Sequence, residues 1–218
     1  MASYEELYQA GERFRKTQRQ PEQAIDCYHE ALAIGGSRDV DLRHMTGVCY
    51  AMMGKPKLAL DWYVKAIEHA TEQQLGNICR DQAEVFSRRG RHDRACVLLM
   101  RSLELLPYLG YPDDHAATLG FLARTEARLG NHDRALRHFA VADAMLHVGA
   151  NRELELYNKL HYATALAETK HWASARWVAA KSVPLARRYG SREHLGLALA
   201  LMTIGAKAAA MARRRQER

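Results

Sequence analysis

A chain of 218 residues with 48% apolar side chains and few glycines and prolines has the composition of a folded protein, which excludes a long disordered tract. Its formal net charge of +7 is modest for a dedicated nucleic-acid binder, and it is unevenly placed. Residues 1–110 carry 15 Lys+Arg against 15 Asp+Glu, whereas residues 111–218 carry 17 against 10.

The predicted elements run in pairs. The first pair, over residues 4–36, carries Gly11, Phe14, Ala24, Tyr28 and Ala31, with an extra residue in its inner turn. The second, over 39–71, sets Leu42, Thr46, Cys49, Tyr50 and Met53 at three- and four-residue steps, which places them on one helical face. Gly54 stops that helix and Pro56 opens its partner, which carries Ala59, Leu60, Tyr63, Ala66 and Ile67. The third pair, over 75–109, runs from Ala83 and Phe86 through Gly90 to Ala95, Leu98, Leu99 and Leu103, and Pro107 ends it. The fourth, over 115–149, has Leu119, Leu122, Ala123, Gly130, Ala135, Phe139 and Ala142. The fifth, over 153–189, has Ala163, Leu166, Lys170 at its turn, Ala175 and Ser182.

Ala24, Ala59, Ala95, Ala135 and Ala175 recur at intervals of 35, 36, 40 and 40 residues, a period that marks a repeat architecture. Gly11, Gly47, Ala83, Ala123 and Ala163 hold the matching small site on each first helix, so that two helix axes approach closely. Tyr28, Tyr63, Leu99 and Phe139 fill the flanking space. The expected domain is residues 1–190, followed over 191–218 by a capping helix and a tail with Arg213, Arg214, Arg215 and Arg218. In that helix Leu195, Leu199, Met202, Ala206 and Ala209 predict the seam against the fifth pair. Leu197, Leu201, Ile204 and Ala208 form a second apolar strip. A helix apolar on most sides is buried on more than one side, which predicts a homodimer through it; the alternative is a tolerated alanine-rich surface.

These units resemble the tetratricopeptide repeat (TPR) family, whose motif has small residues at two helix crossings, a large residue after each, and glycine at the inner turn. The second unit matches it best, with Gly47, Tyr50, Gly54, Ala59, Tyr63 and Ala66. The fourth departs with Glu126 at a large site, and the fifth departs with Lys170 for glycine and Ala179 for an aromatic. The resemblance covers residues 4–188 and implies an all-α, right-handed α-solenoid of about five helix pairs plus the capping helix. It also implies protein–protein recognition, with the first helix of each pair lining a concave groove. On the matching positions the candidate peptide-binding residues are Met45, Met52, Arg80, Arg88, Phe121, Arg124, Arg128 and His161. Arginine forks pair with carboxylates, so the expected guest is a peptide or protein segment of acidic character. Glu12 and Val48 stand where the carboxylate-clamping branch of the family needs amides, which sets that activity aside.

No catalytic or metal motif stands out. His92 and His132 are one repeat apart, and there is no His-Glu-x-x-His, glycine-rich phosphate loop or Gly-x-Ser-x-Gly. No cofactor and no catalysis are expected. Cys27, Cys49, Cys79 and Cys96 lack Cys-x-x-Cys spacing and read as free thiols. Glu5, Glu6 and Glu12 interrupt any export signal, and Leu195 to Ala206 is short for a membrane span. The expectation is a cytoplasmic adaptor, co-chaperone or peptide sensor. The alternative is a nucleic-acid-associated or transcription-regulatory protein acting through its basic C-terminal half.

Overall fold

Several helices start where the sequence supplies a first-turn partner or removes the need for one. Ser3 and Glu6 form a reciprocal cap on α1 (Tyr4–Arg13), and Thr71 with Gln74 does the same for α5 (Glu72–Arg88). Proline opens α2 (Pro21–Ile34), α4 (Pro56–Ile67) and α7 (Pro112–Arg128), where the missing N–H costs nothing. The other helices are α3 (Asp39–Met52), α6 (His92–Leu105), α8 (His132–Val148), α9 (Arg152–Glu168) and α10 (Trp172–Tyr189), with α11 over 192–203. The computed structural model describes residues 2–107 and 109–203, and among these every regular element is helical.

The inner turns need left-handed backbone. Gly54, Gly90 and Gly130 adopt φ of 68°, 73° and 81°, and Lys170 takes the same turn at 65°. The extra residue of the first pair is absorbed by a wide π-turn over Phe14–Gln18, closed by Arg19 at φ 53°.

The chain divides into two compact units, residues 1–105 and residues 106 onward. The first holds the pairs α1/α2, α3/α4 and α5/α6; the second holds α7/α8, α9/α10 and α11. Within each unit the alanine series Ala24, Ala59, Ala95, Ala135 and Ala175 is fully buried. The large residues beside it, Tyr28, Tyr63, Leu99 and Phe139, are among the most buried side chains of their units. Glycine is required at two crossings. A Cβ on Gly11 would lie 2.3 Å from Tyr28 Cε1, and one on Gly47 would lie 2.5 Å from Tyr63 Cε1 and 3.1 Å from the Ala59 carbonyl oxygen.

The departures from the repeat motif have local explanations. Glu126 is buried, ion-paired with Arg134 at 3.1 Å and hydrogen-bonded with His138 at 2.8 Å, so a carboxylate ties α7 to α8 at a site where the motif has a large side chain. Ser182 is buried with its hydroxyl donating to the Ala179 carbonyl at 2.7 Å. Between α8 and α9, buried Glu155 accepts from Arg152 and His147, and buried Lys159 reaches Asp143 at 2.6 Å.

The last helix corrects one expectation. Ala198 and Leu201 are its buried residues, and Leu195 and Met202 pack beside them against α9 and α10. Leu199 was expected in that seam but is 44% exposed, beside Leu197 at 42%. The reason is helical phase: Ala198 and Leu201, rather than Leu199, face the groove between the two helices. Ile204, Ala206, Ala208, Ala209 and the arginines of the tail lie outside the described residues.

Substituting Gly47 by Ala drives a methyl into the Tyr63 ring and the α4 backbone. The variant is expected to lose about 1–2 kcal/mol in urea unfolding, an overpacking penalty that outweighs alanine's helix propensity. A stability at or above wild type would show that this crossing is not packed to contact.

Candidate functional site

In the N-terminal unit, first helices α3 and α5 face each other and leave a cavity of about 250 Å³ between them. Its walls are Val48, Ala51 and Met52 from α3, Asp81, Glu84, Val85 and Arg88 from α5, and Pro56 and Tyr63 from α4. At one side His44 Nε2 donates to Asp81 Oδ2 at 2.8 Å, since a carboxylate only accepts. Burial raises the Asp81 pKa, but His44, Arg80 and Arg15 outweigh it and hold the group below its ordinary value. Arg80 Nε lies 3.8 Å from Asp81 Oδ1, and Arg88 closes a 2.7 Å ion pair on Glu84.

In the C-terminal unit the first helices α7 and α9 carry a cationic cluster. The Arg124 guanidinium lies 4.3 Å from the Phe121 ring centroid and 3.1 Å from His161 Nε2. Guanidinium nitrogens only donate, so Nε2 accepts and His161 is neutral. Burial, followed by the charges of Arg124, His194 and Arg128, lowers the His161 pKa to about 4. Arg128, one turn beyond Arg124, is exposed. Among the described residues no cluster of His, Cys, Asp or Glu is placed to hold a metal ion.

Residues 76–145 match the family model of the tetratricopeptide repeat. Solved structures of similar fold include proteins with tetratricopeptide repeats. Residues 76–145 are a tetratricopeptide-repeat segment. No curated protein matches it in sequence. It is similar to a Rap protein complexed with Competence and Sporulation Factor, with TM-score 0.78 and 16% identity over 98% of this chain and 64% of that one. It is similar to a signal transduction ATPase with numerous domains and a tetratricopeptide repeat sensor from Pyrococcus horikoshii, with TM-score 0.77 and 14% identity over 97% of this chain and 35% of that one. It is also similar to YrrB, a TPR protein with an unusual peptide-binding site, with TM-score 0.54 and 18% identity over 88% of each chain. At these identities the likeness is one of fold.

The TPR motif positioned the site residues unevenly. Met52 and Arg88 line the cavity, and Arg80 stands beside it at Asp81. Met45 is half-buried and packs into the core around α1, α2 and α3 instead. Arg124 touches both Phe121 and His161, with Arg128 adding its field. The sequence reading took Tyr63 for packing alone, yet it walls the cavity together with Val85, Ala51 and Pro56. One signal was present in the sequence: Tyr28 and Tyr63 are equivalent, but the acid Glu12 that faces the first is replaced by Val48 at the second.

His161 links stability to pH. Its folded pKa of about 4 lies below the ordinary histidine value of 6.5, so the unfolded chain takes up a proton first as pH falls. Its contribution is complete above pH 6.5 and is lost between pH 6.5 and about 4. Urea melts of His161→Gln across this range should therefore fall less steeply than those of wild type. Parallel slopes would mean that His161 protonates freely in the folded chain.

Proposed function

We propose that this TPR chain is a noncatalytic interaction module, an adaptor, co-chaperone or peptide sensor, that holds a peptide or protein segment on the first-helix faces of its repeats. The observation that carries this reading is the cavity between α3 and α5, a recess with apolar walls and convergent polar groups on the face the family uses for recognition. Two proteins of similar fold support it: the Rap structure contains Competence and Sporulation Factor, and YrrB has a peptide-binding site.

Acidic character in the guest is supported by the C-terminal unit. Arg124 and Arg128 lie one turn apart on α7, Arg128 makes no ion pair among the described residues, and both bear on a neutral His161. A carboxylate placed there relieves like-charge crowding and gains charge-assisted hydrogen bonds. The four cysteines are free, which supports a reducing compartment such as the cytoplasm. Among the described residues no helix is long and apolar enough to cross a membrane. The exposed Leu197 and Leu199 of α11 support self-association through that helix.

The double variant Arg124→Glu/Arg128→Glu tests the acidic guest. Its affinity for glutamate-rich peptides, read by fluorescence anisotropy, should drop more than about tenfold, as expected for the reversal of close charge pairs. Unchanged affinity overturns the acidic guest.

A further inference from the structure

The first two repeats place the same tyrosine in two different environments. In the first, the Tyr28 hydroxyl donates to Glu12 Oε1 at 2.7 Å, and that carboxylate is neutralised by Arg15 at 2.8 Å and Lys16 at 2.6 Å. The chain thus supplies its own acceptor and fills the space in front of the ring. In the second repeat Gly47 and Tyr63 sit as Gly11 and Tyr28 do, each glycine lying against its ring. The residue after the glycine is now Val48 in place of Glu12, and the following turn brings Ala51 and Met52 in place of the two cations. The space that these side chains leave is the cavity of about 250 Å³, far more than one water needs.

Tyr63 is 1% exposed, and its hydroxyl makes no hydrogen bond among the described residues. Burial, then the nearby charges of Asp81 and Glu84, push its pKa up, so the hydroxyl keeps its proton and is an unmatched donor at the cavity wall. The Tyr63 oxygen is not wholly buried but belongs to a residue of the cavity wall, where a ligand that brings an acceptor can meet it. The lining limits which acceptor. It carries two carboxylates, Asp81 and Glu84, against one guanidinium, Arg88. A guest carboxylate adds a third negative charge where Arg88 is already paired with Glu84, and Arg80 and His44 already face Asp81. A guest ammonium only donates and leaves the Tyr63 proton unmatched, and a purely aliphatic side chain likewise offers that hydroxyl no acceptor.

We propose that this cavity is a subsite for a carboxamide side chain, glutamine or asparagine, of the bound segment, with its carbonyl oxygen accepting from Tyr63 and its N–H groups donating to Asp81 and Glu84. Val48, Met52 and Val85 cover the aliphatic stem. The subsite rests on the reading of the first-helix face as the binding surface, and it adds a neutral polar selection to the anionic one of the C-terminal unit.

The test uses the full chain against arrayed heptapeptides blocked at both ends, with the central residue fixed and the others randomised. Wild type should bind the glutamine and asparagine pools roughly three- to tenfold above the glutamate, lysine and leucine pools, the value of one or two well-made hydrogen bonds. Tyr63→Phe keeps the ring in place and should erase this preference while retaining general binding. Val48→Glu hands Tyr63 an acceptor from its own chain, as in the first repeat, and should block the pools; Met52→Trp, at an exposed position, should block them without touching the core. A preference for lysine, leucine or glutamate, or a Tyr63→Phe profile identical to wild type, overturns the carboxamide subsite while Met52→Trp still blocks binding. Pools that do not bind, or that bind regardless of Met52→Trp, overturn the binding surface and the subsite together.

Discussion

The contact on which the first two repeats depend is that of a glycine against a tyrosine ring at the helix crossing. Gly11 lies against Tyr28 and Gly47 against Tyr63 with no space for even a methyl group, and the alanines at the second crossing are wholly buried. Close approach of this kind gains dispersion contacts and fixes the rotation of each first helix about its own axis. Once that rotation is fixed, the positions next to the small residue are turned away from the partner helix. Val48 and Met52 are presented outward because Gly47 is held inward.

That outward face need not be alike from one repeat to the next. The first repeat spends it on an internal ion-pair network, Glu12 with Arg15, Lys16 and Tyr28. The second leaves it hollow and lines it with apolar side chains and two carboxylates. In the C-terminal unit, α7 and α9 instead present Arg124, Arg128 and a histidine held neutral by burial and by the arginines' field. A common scaffold thus carries surfaces of different chemistry, because packing constrains one side of each first helix and leaves the other to vary.

Charge also enters the interior of the C-terminal unit. Glu126, which stands at a large site of the repeat motif, Glu155 and Lys159 are buried, and each meets opposite charge: Glu126 from Arg134 of α8, Glu155 from Arg152 of its own helix, and Lys159 from Asp143 of α8. Such pairs repay much of their own desolvation, and they cost most when one partner is removed. They give α7, α8 and α9 a specific register that alanine and leucine alone do not impose.

The sequence by itself determined the helix pairs, their period and their turns, because small residues, prolines and left-handed glycines act locally and leave a periodic trace. It placed Lys170 at a turn that the structure shows to be left-handed, and it located the cationic α7 positions. Only the tertiary structure decided that Met45 turns into the core, that Leu199 points out while Ala198 and Leu201 point in, and that Arg88 and Glu84 pair. It alone showed a hollow in front of Tyr63. The reason is physical: a face of a helix can be read from spacing, but its exact phase, its ion partners and the empty volume beside it are properties of several helices packed together.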